Sequence, residues 1–288
     1  MKKFFSFICS LLVSCLLFSS CTPPTGASEN ISSTSLDGSS TISSIIESSE
    51  NEESSTSIDE DNEDTPSEEI EIDFSDKHYV AFGDSITAGS NLPSRIYAYP
   101  NVVAKTLDMT VKNQAVGGAT LGYDTTDDKR RCISNDIVEF ISNTSNYDII
   151  SVTGGSNDKG RQIPLGSIID NTNLSVYGSL NIIASTLTQK CPTAFIFFIT
   201  PIKNPTCEVP NKLGYTLKDI CIAIEEVAHK YSIPVLDLYN TSNYEKVDCG
   251  MYAEGSDGWH PLKEFVSDYM APQVAQFIKD NYKEKRAS

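Results

Sequence analysis

One short stretch of the sequence places a serine where it could act as a nucleophile. Residues 79–82, Tyr-Val-Ala-Phe, form an apolar run that ends at Gly83-Asp84-Ser85. Such a run is typical of a buried strand that enters a tight turn, and a helix is expected after it. In parallel α/β sheets, ligands bind at the carboxyl ends of the strands, where a following helix directs backbone N–H groups toward them. Ser85 is therefore a candidate nucleophile.

Only one of the three histidines in the sequence has the surroundings of a general base. His78 enters the same strand from its far end, roughly 20 Å from Ser85 in an extended chain. His229 falls late in an amphipathic helical pattern, where a surface position is expected. His260 has a carboxylate three positions before it, Asp257, close enough to accept a hydrogen bond from the imidazole. A hydroxyl nucleophile needs such a base and such an orienting carboxylate.

Two glycine-containing loops could stabilise the negative charge that develops on a carbonyl under attack. Residues 113–118, Asn-Gln-Ala-Val-Gly-Gly, follow a second strand-like run, and paired glycines let the backbone approach a ligand closely. Residues 154–158, Gly-Gly-Ser-Asn-Asp, follow a third run. Acyl transfer needs preorganised hydrogen-bond donors of this kind. Ser156 is a rival nucleophile, although no Gly-x-Ser-x-Gly turn surrounds it or Ser85.

The elements that must position these side chains alternate along the chain. Strand-like runs followed by helical patterns predict a parallel sheet between two layers of helices, with right-handed crossovers. The run at 195–199 is apolar without alternation, as in a strand covered on both faces. Strands are predicted at 79–82, 109–113, 149–153, 194–200 and 235–238, and helices near 100–107, 133–141, 177–190, 216–231 and 261–282.

Together these segments resemble the four sequence blocks of the SGNH (GDSL-type) hydrolases. The resemblance implies a flavodoxin-like fold: a three-layer α/β/α sandwich around a central parallel sheet of about five strands. It also implies a carboxylic ester hydrolase that needs no cofactor and no metal. The end of the first block, Ile86-Thr87, departs mildly from the family pattern. In the order of the family, the blocks are Gly-Asp-Ser-Ile-Thr at 83–87, the loop that ends at Gly118, Gly-Ser-Asn-Asp at 155–158, and Asp257-x-x-His260.

The resemblance also implies a role for each candidate residue. Ser85 would be the nucleophile, His260 the base and Asp257 its partner. The Ser85 N–H, the Gly118 N–H and the Asn157 side chain would form the oxyanion hole. Taken alone, Ser85 would more commonly cap the helix that follows it, and the other three blocks favour the nucleophile instead. A metal site at Asp257 and His260 lacks a third ligand at convincing spacing.

The N-terminus has the pattern of an export signal. Residues 1–21 combine Met-Lys-Lys, an apolar run and small residues before Cys21, which is typical of a bacterial lipoprotein signal peptide. Cys15 fits the lipidation motif at least as well residue by residue, but its use would leave three apolar residues at the start of the mature chain. An ordinary secretory peptide with incidental cysteines is the alternative. We expect a protein anchored by a lipid at Cys21 to the outer face of the bacterial cytoplasmic membrane.

Composition separates a tether from a folded domain. Residues 22–76 are rich in Ser and Glu, contain 16 acidic residues and no Lys or Arg, and are expected to be disordered. Most of the formal charge of −17 lies in this segment, so the net charge gives no information about the substrate of the folded domain. The chain also lacks the excess of basic residues that is typical of nucleic-acid-binding proteins. Residues 77–288 are long enough for one hydrolase domain. Of its five cysteines, Cys207 and Cys249 could form a bridge, or all could be free thiols.

Substrate preference depends on the loops around the predicted site. Their polar side chains favour an ester of a small molecule or a polysaccharide, and we expect removal of acetyl or another short acyl group from an extracellular carbohydrate. A lysophospholipase or general short-chain esterase or lipase is the alternative; a non-catalytic binding lipoprotein would have lost a catalytic residue. The side chains that could contact a sugar, or could instead pack in the core, are Tyr97, Tyr99, Tyr123, Arg161, Tyr177, Tyr215 and Trp259.

Overall fold

The structure, a computed structural model, describes residues 72–144 and 146–283. The predicted signal peptide, with Cys15 and Cys21, and nearly all of the predicted tether lie outside these residues. Within them, no helix has the length and the apolar character that a membrane crossing requires.

Five parallel strands form the central sheet, in the order β2-β1-β3-β4-β5. β1 pairs in parallel with β2 on one side and with β3 on the other. This order and the parallel pairing confirm the predicted flavodoxin-like sheet. The strands are β1 (His78–Phe82), β2 (Thr110–Asn113), β3 (Ile149–Thr153), β4 (Phe195–Ile199) and β5 (Val235–Leu236).

Helices cover both faces of the sheet and complete the three layers. The helices are α1 (Ser85–Ala88), α2 (Tyr99–Thr106), α3 (Ile133–Asn143), α4 (Ser156–Arg161), α5 (Val176–Lys190), α6 (Leu217–Lys230), α7 (Leu238–Thr241), α8 (Lys263–Phe265) and α9 (Ala271–Asn281). A 3-10 turn (Arg95–Tyr97) precedes α2, and a π-helical turn (Val266–Met270) joins α8 to α9. The predicted closing helix therefore begins at Lys263 rather than near Pro261, and β5 is shorter than expected.

Successive side chains of each strand point to opposite faces of the sheet, so the core consists of two clusters, one on each face. In β1, Val80 and Phe82 face a cluster formed with α3, α5 and α6, whereas Tyr79 and Ala81 face one formed with α2 and α9. Because both faces of the sheet are buried, the central strands read as apolar runs without polar alternation. Each crossover returns the chain to the amino edge, so the loops after β1, β2 and β3 meet at the carboxyl edge.

Candidate active site

The turn after β1 is built to present Ser85. Gly83 leaves no room for a side chain, because a Cβ there would overlap the Thr87 side chain. The buried Asp84 caps α1 by accepting a hydrogen bond from the Ile86 N–H at 3.0 Å. Gly89, at φ +76°, ends the helix after four residues in the left-handed conformation that glycine adopts without strain. Ser85 is thus held at the first position of a one-turn helix.

His260 connects Ser85 to Asp257 in a continuous chain of hydrogen bonds. Its Nε2 lies 2.9 Å from Ser85 Oγ, and its Nδ1 lies 2.8 Å from Asp257 Oδ2. Asp257 Oδ1 accepts hydrogen bonds from the N–H groups of Trp259 and His260, at 2.8 and 2.7 Å. With Nδ1 protonated toward Asp257, Nε2 is free to accept the Ser85 hydroxyl proton. The structure therefore brings the three sequence-predicted residues into the relative positions of a nucleophile, a base and its orienting carboxylate.

Asp257 remains accessible to water although it is tightly held. Its side chain is 42% exposed and that of His260 is 25% exposed. Partial burial would raise the pKa of Asp257, but hydrogen bonds from the His260 side chain and backbone and from the Trp259 N–H outweigh it and hold the pKa below its usual value. Asp257 is therefore ionised at neutral pH, as an orienting carboxylate must be.

The two predicted oxyanion loops meet next to Ser85. Asn157, in the first turn of α4, donates one amide N–H to the Ala119 carbonyl at 2.9 Å and lines the same pocket as Ser85. Gly118 adopts φ +76°, and its carbonyl accepts a hydrogen bond from Arg130 Nη1 at 2.8 Å. The amide of Asn157 has a second N–H, which remains for a ligand.

Arg130 supports the Gly118 loop, a role that no motif in the sequence indicates. Arg130 Nε lies 3.2 Å from Asp124 Oδ2, and its Nη2 lies 3.1 Å from Asp127 Oδ2. These ion pairs hold the guanidinium against the Gly118 carbonyl. Asp124, Asp127 and Arg130 thus support the loop internally.

A pocket of about 300 Å³ opens over Ser85 and His260. Of the seven side chains predicted to contact a sugar, only Arg161 and Trp259 line it. Trp259 is 43% exposed. Three of the others, Tyr99, Tyr177 and Tyr215, are buried in the core, so for them the packing alternative holds.

Two carboxylates near the active site, Asp84 and Asp158, are buried. Burial raises the pKa of Asp158 to about 7, although it accepts hydrogen bonds from the Gly122 and Leu121 N–H groups. Burial likewise raises the pKa of Asp84 to about 6, against the hydrogen bond from Ile86. Both carboxylates anchor backbone segments of the site, which gives them a structural function.

These shifts predict that stability falls as pH rises. A carboxyl whose pKa is higher in the folded state than the unfolded value of 3.8 stabilises the fold fully below that value and loses this contribution as pH rises through the folded pKa. We therefore expect the free energy of unfolding, measured by urea denaturation, to fall between about pH 4 and pH 7.

The variant Asp158→Asn should make this dependence shallower, because only Asp84 of the pair still titrates. Asp128→Asn, at an exposed loop position, should leave the dependence intact. Asp124 has a lowered pKa, so its contribution changes at more acidic pH and does not overlap. A pH dependence that is the same in Asp158→Asn and in the wild type would contradict the assignment.

The other nucleophilic and metal-binding groups do not form a second centre within residues 72–144 and 146–283. No cluster of His, Cys, Asp or Glu there could hold a metal ion. The cysteines of these residues are free thiols, so Cys207 and Cys249 are not bridged. His78 lies 3.4 Å from Asp148 at the amino edge of the sheet, and His229 is exposed on α6.

Comparison with known proteins agrees with this geometry. The family model of GDSL-like lipases and acylhydrolases matches residues 81–264, well over half of the chain. No curated protein matches the sequence. Among solved structures, a protein from Lactobacillus plantarum is 26% identical with a TM-score of 0.59, covering 72% of this chain and 98% of its own.

Two more distant structures share the fold. A "possible lipase" from Chitinophaga pinensis is 22% identical with a TM-score of 0.53, covering 71% of this chain and 98% of its own. An inhibitor-bound aryl esterase of M. smegmatis is 14% identical with a TM-score of 0.53, covering 71% and 99%. The family match and the fold lead to one conclusion: this chain belongs to the GDSL-like lipase/acylhydrolase (SGNH hydrolase) family and is a carboxylic ester hydrolase.

Proposed function

We propose that the protein is a serine esterase that removes acetyl or another short acyl group from an extracellular carbohydrate. The observation that carries the proposal is the hydrogen-bonded chain of Ser85, His260 and Asp257 at the base of an open pocket lined by both polar and apolar side chains. Family membership supports ester hydrolysis in general, and the pocket supports the choice of a small acyl group on a polar alcohol.

The proposed reaction has two halves. His260 Nε2 takes the Ser85 proton while Oγ attacks the ester carbonyl, and the tetrahedral intermediate collapses as His260 returns the proton to the leaving alcohol. Water then enters, gives a proton to His260 and attacks the acyl-serine; collapse releases the carboxylic acid and restores the Ser85 hydroxyl. The Ser85 N–H, the Gly118 N–H and the second Asn157 N–H would stabilise both oxyanions.

The composition of the pocket supports a short acyl group on a sugar. Ile86 and Ile202 offer a small apolar area for a methyl group, whereas Asn204 and Arg161 offer polar groups to hydroxyls. The exposed face of Trp259 suits stacking against a sugar ring, which presents apolar C–H groups on one side. A lysophospholipase or lipase would instead require a broad apolar mouth for a long chain.

Export and anchoring remain part of the proposal. The sequence of residues 1–21 supports lipidation at Cys21, with residues 22–76 as the tether between the lipid and the hydrolase domain. Fractionation of cells that express the full chain tests this placement, since the protein should be found with the membranes and should be accessible from outside.

The substrate is tested with two series of esters and one variant. We expect the full chain to hydrolyse p-nitrophenyl acetate faster than the longer-chain esters, and to deacetylate acetylated sugars. Trp259→Ala should raise KM for an acetylated oligosaccharide about tenfold, because a desolvated stacking contact contributes about 1 kcal/mol or more. The same variant should leave KM for p-nitrophenyl acetate within about twofold.

The matched control is Tyr252→Ala, another exposed aromatic residue outside the pocket, for which both KM values should stay near those of the wild type. A preference for long acyl chains would favour the lipase alternative. Equal changes in KM for the sugar and the aryl ester would remove Trp259 from the sugar-binding role.

A further inference from the structure

Asn91 contacts both members of the His260–Asp257 pair, and no sequence block of the site includes it. Its Nδ2 lies 2.8 Å from Asp257 Oδ2 and 3.2 Å from His260 Nδ1. The loop after α1 brings it there: the Ser90 N–H donates to the Ser85 carbonyl, and Asn91 itself adopts φ +65°. Asparagine tolerates this left-handed conformation better than most residues.

The chemistry of the carboxylate determines how the amide is oriented. The amide oxygen of Asn91 would be repelled by Asp257, so the N–H group must face Oδ2. Asp257 Oδ2 also accepts the hydrogen bond from His260 Nδ1. Asn91 and His260 therefore share one acceptor atom, and the amide withdraws part of the negative charge that would otherwise stabilise a protonated imidazole.

Asp257 does not depend on Asn91 for its position. Its other oxygen, Oδ1, is already held by the N–H groups of Trp259 and His260 within the same turn. The effect expected of Asn91 is thus on charge more than on placement. This distinguishes it from a residue that merely fills the loop.

We propose that Asn91 is a positioning residue of the esterase site, which acts through Asp257 Oδ2 to keep His260 in the neutral form that can accept the Ser85 proton. The catalytic role of Asn91 rests on the proposed function, because His260 needs to be neutral only if it acts as the base for Ser85. The interaction itself can be measured without any substrate.

Other charged and titratable groups also act on His260. Asp84, in the turn after β1, interacts electrostatically with His260, Asp257 contacts it from its own turn, and Arg161 on α4 lines the same pocket. The Tyr244 hydroxyl donates to the His260 carbonyl at 3.1 Å and carries no charge at neutral pH. Asn91 differs from these groups because it is uncharged and donates directly to Asp257 Oδ2, the oxygen that His260 also contacts.

Two variants separate the charge effect from the shape of the loop. Asn91→Gly keeps the left-handed backbone accessible and removes the amide, whereas Asn91→Asp keeps the shape and replaces the donor with a negative charge. The experiment is an NMR titration of the histidine ring protons of the full chain. The sequence contains only three histidines, and the His260 signal is the one that disappears in His260→Gln.

We expect the pH midpoint of the His260 signal to rise in Asn91→Gly and to rise further, by about one pH unit, in Asn91→Asp. The acid limb of kcat/KM should move by the same amount, and the plateau should fall by less than about tenfold. His78 and His229 serve as internal references whose midpoints should not move.

An unchanged His260 midpoint in both variants would overturn the proposal, as would a loss of kcat at every pH without a shift of the acid limb. The first readout needs no turnover, so it separates this proposal from the proposed function. If the protein hydrolysed no ester but the His260 midpoint rose as expected, only the proposed function would fail.

Discussion

Replacing Ser85 with alanine is expected to lower kcat for p-nitrophenyl acetate by a factor of about 10⁴ or more. The hydroxyl oxygen lies 2.9 Å from His260 Nε2, so its removal leaves no atom that can form the acyl-enzyme. What remains is attack by a water molecule in a pocket that still binds the ester. The measurement is the initial rate of nitrophenol release by the full chain at saturating ester.

A second serine in the same pocket provides the matched control. Ser156 lines the pocket beside Asn157, but the hydrogen bond of His260 Nε2 is to Ser85. We expect Ser156→Ala to retain kcat within about fivefold, with folding of both variants checked by circular dichroism. Activity in Ser85→Ala close to that of the wild type, or a loss confined to Ser156→Ala, would contradict the mechanism.

Removing the amide of Asn157 is expected to have the next largest effect. Asn157→Ala should lower kcat about 10²- to 10³-fold with little change in KM, because an oxyanion donor acts on the transition state more than on the bound ester. The hydrogen bond to the Ala119 carbonyl holds the amide in place before the substrate arrives, so its dipole needs no reorganisation during the reaction.

The control for Asn157 is a similar amide in a different location. Asn101 donates its side-chain N–H to the Arg95 carbonyl and does not line the pocket, so Asn101→Ala should leave kcat unchanged within about twofold. If Asn157→Ala raised KM and left kcat intact, Asn157 would be a substrate-binding residue and the oxyanion hole would have to be assigned elsewhere.

Strand ends and short spacings made much of the site predictable. Ser85 and Asn157 each follow a buried strand directly, and Asp257 precedes His260 by one turn. In these cases local chain geometry determines where the side chain lies, because parallel strands deliver their carboxyl ends to one edge. The same reasoning predicted the layers of the fold, since apolar runs and helical periods depend on burial alone.

Contacts between distant loops could not be predicted in this way. Asn91 reaches Asp257 across 166 positions through a left-handed turn, and a single sequence contains no periodic signal for such a contact. The sequence left Tyr99 undecided between a sugar contact and a core position for a related reason: an aromatic residue near a loop can pack inward. In the structure it does so, and its hydroxyl bonds Thr153 at 3.0 Å inside the core. Only the packed chain distinguishes these outcomes.

The direction of β1 has a consequence for how the enzyme meets its surroundings. The chain enters the described domain at the amino edge of the sheet, where Phe74 packs against Tyr282 with ring centroids 5.4 Å apart. Ser85 lies at the opposite, carboxyl edge, because β1 crosses the sheet between them. If residues before 72 lead to a membrane anchor, the pocket opens on the side opposite the attachment point. A substrate can therefore reach Ser85 without passing the point where the chain enters the described domain.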